Sequence, residues 1–123
     1  MIKEIQAAIV EIIKPHCKSI YFNRCPAIYP RIRAEIKRLK TPPPVLQFML
    51  YLDYYGKTDE AEQLKDIADR VYLALRAAQY ENDRLIISIH SEGGEQDEIG
   101  DTAADVKHIM AAVPLRVIFK EDI

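Results

Sequence analysis

Histidine, cysteine and carboxylate side chains are what this 123-residue chain could use to hold a metal or move a proton, and their spacing limits what they can do. His16, His90 and His108, with Cys17 beside the first, are the donors a zinc site would need. No pair has CxxC, HxxxH or HExxH spacing, and adjacent His16-Cys17 at a helix end makes a poor chelate. His90 and His108 fall on consecutive expected strands and could meet across a hairpin; two half-exposed sheet residues is the simpler reading, because further ligands are wanting. Asp53 interrupts an apolar run beside Tyr51, Tyr54 and Tyr55. A proton-transfer role is open to it, but a hydrogen bond at a buried edge, to a tyrosine or a loop amide, is the expectation. The carboxylates between Glu92 and Asp105 have nothing apolar around them to poise one as acid and another as base. Asp66 and Asp69 share a helix face with Lys65 and Arg70, which is ordinary surface patterning. Gly93-Gly94 is followed by acids that would repel a phosphate, and no nucleophile elbow occurs. These residues predict no catalytic constellation, no metal site and no cofactor.

The elements that would position such residues centre on Val45–Ala78. Leu46, Phe48, Leu50, Leu52 and Tyr54 alternate with Gln47, Tyr51 and Asp53, the period of two of a long strand with one fully buried face. Gly56 is expected to break that strand. Asp59 then offers an N-cap, with Glu62 closing a capping box. Ala61, Leu64, Ala68, Val71, Leu75 and Ala78 follow at helical spacing, flanked by Ile67 and Tyr72. Upstream, Ile2, Ile5, Ile9, Ile12 and Ile13 form the apolar stripe of a first helix ended by Pro15. Ser19–Phe22 is a short β-prone run, and Asn23–Pro30 an irregular link. Arg31–Leu39 alternates as a half-exposed antiparallel strand with Ile32, Ala34 and Ile36 inward. Thr41-Pro42-Pro43-Pro44 stiffens the next connection. Leu85, Ile87 and Ile89 mark a further strand, and Glu92–Asp105 reads as a long mobile loop. A last strand starts near Val106, with His108 and Arg116 on its second face; Pro114 predicts an edge position or a bulge there. The order α-β-β-β-α-β-β gives an α+β fold, an antiparallel sheet with two helices packed on one face, in a single domain over residues 1–123.

Charge is unevenly distributed. Eight bases from Lys14 to Lys40 face Glu35 alone, a net +7, while eight acids from Glu81 to Asp105 face Arg84 alone, a net −7. A domain this small then carries a strong surface dipole. Arg31, Arg33 and Lys37 form a basic stripe with Tyr29 close enough to stack, as a nucleic-acid-binding accessory domain would have. Against that stand the overall charge of −2 and the lack of a recognisable module. Met49 and Tyr51 on the second face of the central strand point instead to a protein interface. No apolar run reaches the ~20 residues of a membrane span. Glu4, Gln6 and Glu11 break the N-terminal apolar pattern, which excludes a signal peptide. Two cysteines in a chain that needs no staple predict a reducing, cytoplasmic setting.

The N-terminal amphipathic helix, the entry Ile28-Tyr29-Pro30-Arg31-Ile32 and the central strand ending LDYYG resemble tail terminator proteins of bacteriophages and tail-like particles. So do the helix DEAEQLKDIADRVYLAL, the strand after it, the long loop and the final strand VPLRVIFK (Val113–Lys120). The likeness lies in the order of elements over nearly the whole chain, so it carries over no functional residue singly. It implies a structural virion protein and no enzyme, assembled in the host cytoplasm. Such subunits close into a ring, usually a hexamer, that caps the tail tube and meets the head–tail connector. Another small head–tail joining module is the alternative. A ring needs unlike patches that fit each other. Arg31, Arg33, Lys37, Arg38, Met49 and Tyr51 are the expected contact residues on one side. Glu92, Glu95, Asp97, Glu98 and Asp101 of the next subunit are expected on the other.

Overall fold

Alternation of apolar and polar residues over Val45–Lys57 does produce the long central strand (β3). In the computed structural model, which describes residues 2–22, 26–39, 45–77, 79–89, 95–103 and 105–122, the chain is α+β. Its elements run α1 (Ile2–Ile13), β1 (Ile20–Tyr21), β2 (Arg31–Leu39), β3, α2 (Ala61–Ala77), β4 (Gln79–Glu81), β5 (Leu85–Ile89), β6 (Glu95–Ala103) and β7 (Val106–Phe119). Seven strands make one sheet, ordered β1-β2-β3-β7-β5-β4, with β6 also paired to β7.

The core lies between the two helices and one face of that sheet. Leu46, Phe48, Leu50, Leu52 and Tyr54 of β3 are buried there with Ile32 and Ala34 of β2 and the odd-numbered residues Ile109 to Phe119 of β7. Ile5, Ala8, Ile9 and Ile13 of α1 and Leu64, Ile67, Ala68, Val71 and Leu75 of α2 close over them in a single cluster. Each such side chain contributes roughly 1.5–3 kcal/mol, so this face holds the sheet and helices together. Burial pushes the Tyr54 hydroxyl well above the usual tyrosine range.

Several expectations need correction. β1 pairs with β2 in parallel, Ile20 beside Ile32, so the sheet is mostly rather than wholly antiparallel. Gly56 does not break β3; it pairs with Lys107 one residue before the strand ends. Its missing side chain lets α2 close, since a Cβ there would lie 3.2 Å from Leu64 Cδ1. Leu64 is itself buried and has little room to yield. Gly56→Ala is therefore expected to lower stability by about 1 kcal/mol, read as a shifted thermal midpoint. Asp59 lies inside a 3-10 turn, Thr58–Glu60, that runs straight into α2 at Ala61, so it is not the residue that precedes the helix. The turn is tied instead to the start of β7, where the Thr58 amide donates to the Asp105 carbonyl at 2.9 Å.

The segment read as a loop contains β6. Glu95–Ile99 pair antiparallel with Ala112–His108, and a register shift separates them from the Ala103–Val106 pair. β7 has fourteen residues and β5 covers it only from Leu115 to Phe119, leaving a free lane alongside. β6 fills that lane through backbone hydrogen bonding, which needs no apolar period and left no pattern to read. β7 is also no edge strand. Pro114 is opposite Met49 on the β3 side; on the other it falls between the end of the β5 ladder at Leu115 and the start of the β6 ladder at Ala112. A residue without an amide proton fits that interval. β4 was not anticipated: Asn82 Oδ1 accepts from the amides of Arg84 at 2.8 Å and Leu85 at 3.0 Å, turning β4 into β5. Glu92 and the Gly93-Gly94 pair lie outside the described residues, as do Thr41–Pro44, Cys25 and His90.

Candidate functional site

β2, β3 and β7 present their second face away from the helices, and no described element covers it. The ladder sets its residues in rows: Arg31–Tyr55–His108, Arg33–Asp53–Met110, Glu35–Tyr51–Ala112 and Lys37–Met49–Pro114. Alternation in three adjacent strands is what brings these side chains together.

The first two rows form one polar-aromatic stack. The Arg31 guanidinium lies between the rings of Tyr29 and Tyr55, 4.7 Å from each centroid. Tyr55 stacks in turn on His108, with centroids 4.4 Å apart and planes 14° from parallel. His108 Nε2 meets Asp53 Oδ1 at 2.8 Å, and the imidazole is nearly buried. Asp53 thus makes its hydrogen bond on the open face of a central strand and to a histidine, rather than at a buried edge to a tyrosine or a loop amide. A carboxylate holding an imidazole is two-thirds of a hydrolytic triad, yet no described hydroxyl or thiol is hydrogen-bonded to Nδ1. Its evident work is to lock three strands together on their open side.

Below the stack the face becomes apolar. Met49 and Tyr51 are half-buried, with Pro114 and Ala112 opposite them in register, and Met110 is exposed. Lys37 reaches over Tyr51, its Nζ 5.6 Å from the ring, and passes 4.0 Å from Glu35. Arg33, Lys37 and Arg38 are exposed. Arg38 pairs with Phe48 and so belongs to the opposite face from Lys37, beyond the cover of the helices. Arg31 is engaged within the chain by Tyr29 and Tyr55. Glu95, Asp97, Glu98 and Asp101 are on β6, across the sheet from β2 with β3 and β7 between.

The other chemistry-bearing residues scatter. His16 and Cys17 line a cleft of about 280 Å³ with Tyr29, Gln63 and Arg70 between the end of α1 and α2. Burial pushes the Cys17 thiol up, which makes it a poor nucleophile or ligand. Asp66 pairs with Arg70 at 3.2 Å along α2, the surface patterning its spacing implied. Among the described residues no three His, Cys, Asp or Glu side chains converge as metal ligands. β5 ends at Ile89 opposite Leu115, seven residues along β7 from His108.

Sequence reasoning reached Asp53, His108 and Arg31 separately but missed the stack that joins them. The signal available was the second tyrosine of Tyr54-Tyr55, which alternation sends to the open face next to Asp53. What it lacked was the register that makes Tyr55 the neighbour of both Arg31 and His108. No family model matches this chain, and no curated protein does.

Proposed function

We propose that the chain is a structural subunit of a phage or prophage particle, a protomer of the tail-terminator type that associates head to tail into a ring. It would cap the tail tube and offer its free surface to the head–tail connector, assembling in the host cytoplasm and ending in the virion tail. The observation that carries this reading is the division of charge across one sheet. β2 bears the exposed Arg33, Lys37 and Arg38 against Glu35, and β6 bears Glu95, Asp97, Glu98 and Asp101 with no base. They flank β3 and β7 on opposite sides, three strand spacings or roughly 14 Å apart. Unlike patches on opposite flanks favour heterologous contacts, and like-charge repulsion disfavours symmetric pairs. The half-apolar face at Met49, Tyr51 and Met110 supplies a surface of the composition that partner proteins bury. A nucleic-acid role is less well served, because Tyr29 and Arg31 stack on each other and are not free to take a base or a phosphate.

Sedimentation of the purified chain at low and high salt tests the reading. A ring-sized species is expected at low salt, about 85 kDa for six chains of 14.1 kDa, loosening as salt screens the exposed charges. A monomer at every salt and protein concentration would refute it.

A further inference from the structure

β1 accompanies β2 only at Ile32 and Arg33. From Ala34 to Leu39 no described strand lies on that side of β2, although β3 pairs with the whole of its other side. Along the side away from β3 runs a cleft of about 360 Å³, lined by Gln6 of α1, by Phe22, and by Arg33 to Ile36 of β2 itself. This edge, six residues and roughly 20 Å long with no partner strand among the described residues, is enough to seat another strand. β6 has a second bare edge, since among the described residues it pairs with β7 alone.

We propose that the β2 edge at Ala34–Leu39 receives β6 of a second copy of the chain, joining neighbouring sheets edge to edge. The proposal rests on the self-associating role above and names the surface through which it works. Charge selects the partner strand. Lys and Arg on an exposed edge ordinarily keep other strands away. Here Arg33, Lys37 and Arg38 would repel another β2, and the four acids of β6 would repel another β6. Only the unlike pairing sets opposite charges across the new ladder, where they stabilise it. Because the two edges flank the sheet on opposite sides, each copy gives one and receives one, so the contact repeats from subunit to subunit.

Hydrogen exchange on the full chain, assembled and diluted to monomer, reads the ladder directly. Alternate amides of Ala34–Leu39 and of β6 are expected to gain protection on assembly. Lys37→Glu with Arg38→Glu should weaken assembly roughly tenfold or more. A second chain carrying Asp97→Lys and Glu98→Lys, mixed with it, should restore hetero-assembly. Both β2 positions are exposed, and circular dichroism of each variant checks that it folds. An assembled particle with no new protection at Ala34–Leu39 would overturn the edge pairing and leave the ring reading standing. Protection on β2 without protection on β6 would overturn β6 as the occupant. A chain that never assembles would sink both.

Discussion

Phe48→Ala is expected to lower stability by about 3–5 kcal/mol, the range for deleting a buried phenylalanine. Phe48 is fully buried near the start of β3, opposite Leu115 on one side and Arg38 on the other. The ring lies where β2, β3 and β7 meet the helices, and the surrounding side chains are held by backbone ladders on both flanks. Such a site cannot collapse into the space left behind, so the loss should fall toward the upper end. Set against a total of about 5–15 kcal/mol for a domain of this kind, one substitution would remove a large share of the stability. A urea titration reads it as a lower midpoint at an unchanged slope. A loss under 1 kcal/mol would mean that the core is organised elsewhere.

Arg31→Ala is the second large effect, expected at about 1–3 kcal/mol, because two ring contacts are lost together and each is worth about 0.5–2 kcal/mol. The guanidinium fills the space between Tyr29 and Tyr55, with Nε and Nη1 buried. Its removal leaves a slot in the open side of the sheet and loosens the Tyr55–His108 stack behind it. Arg31→Lys should recover less than half the loss, since an ammonium lacks the planar surface that lies flat against both rings. Near-ultraviolet circular dichroism of the tyrosines should weaken in both variants. A lysine variant as stable as the parent would show that charge alone matters there. Because the effect acts within one chain, Arg31 is unsuited to charge reversal as a probe of the proposed assembly. Arg33, Lys37 and Arg38 serve that purpose.

What could be read from the residues depended on whether burial imposed a period. β3, β7 and the two helices each bury one face, so Leu46 to Tyr54, Ile109 to Phe119, Ile5 to Ile13 and Leu64 to Leu75 wrote their geometry into the chain. β6 was hidden because Glu95, Asp97, Glu98 and Asp101 carry the composition of a loop and leave no apolar period to read. β4 has three residues, too few for any period. Pro114 misled because a strand can be central and still have an interval on one side where no amide is needed. The stack on the open face needed the register of three strands at once, which no single stretch contains. The charge division was legible from the start, but its meaning changed when both halves proved to be strands of one sheet.

β7 comes after every strand it pairs with in chain order, yet it joins β3 to β5 and β6 at the centre of the sheet. A growing polypeptide therefore leaves the ribosome with its two halves separate and the inner edge of β3 bare. Secondary structure can form early, but closure waits for Val106–Phe119 to emerge. Until then Leu46 to Tyr54 have no neighbour on that flank, and the nascent protein is at its most vulnerable to aggregation. Any message cut short before Val106 would yield a product that cannot close its own sheet.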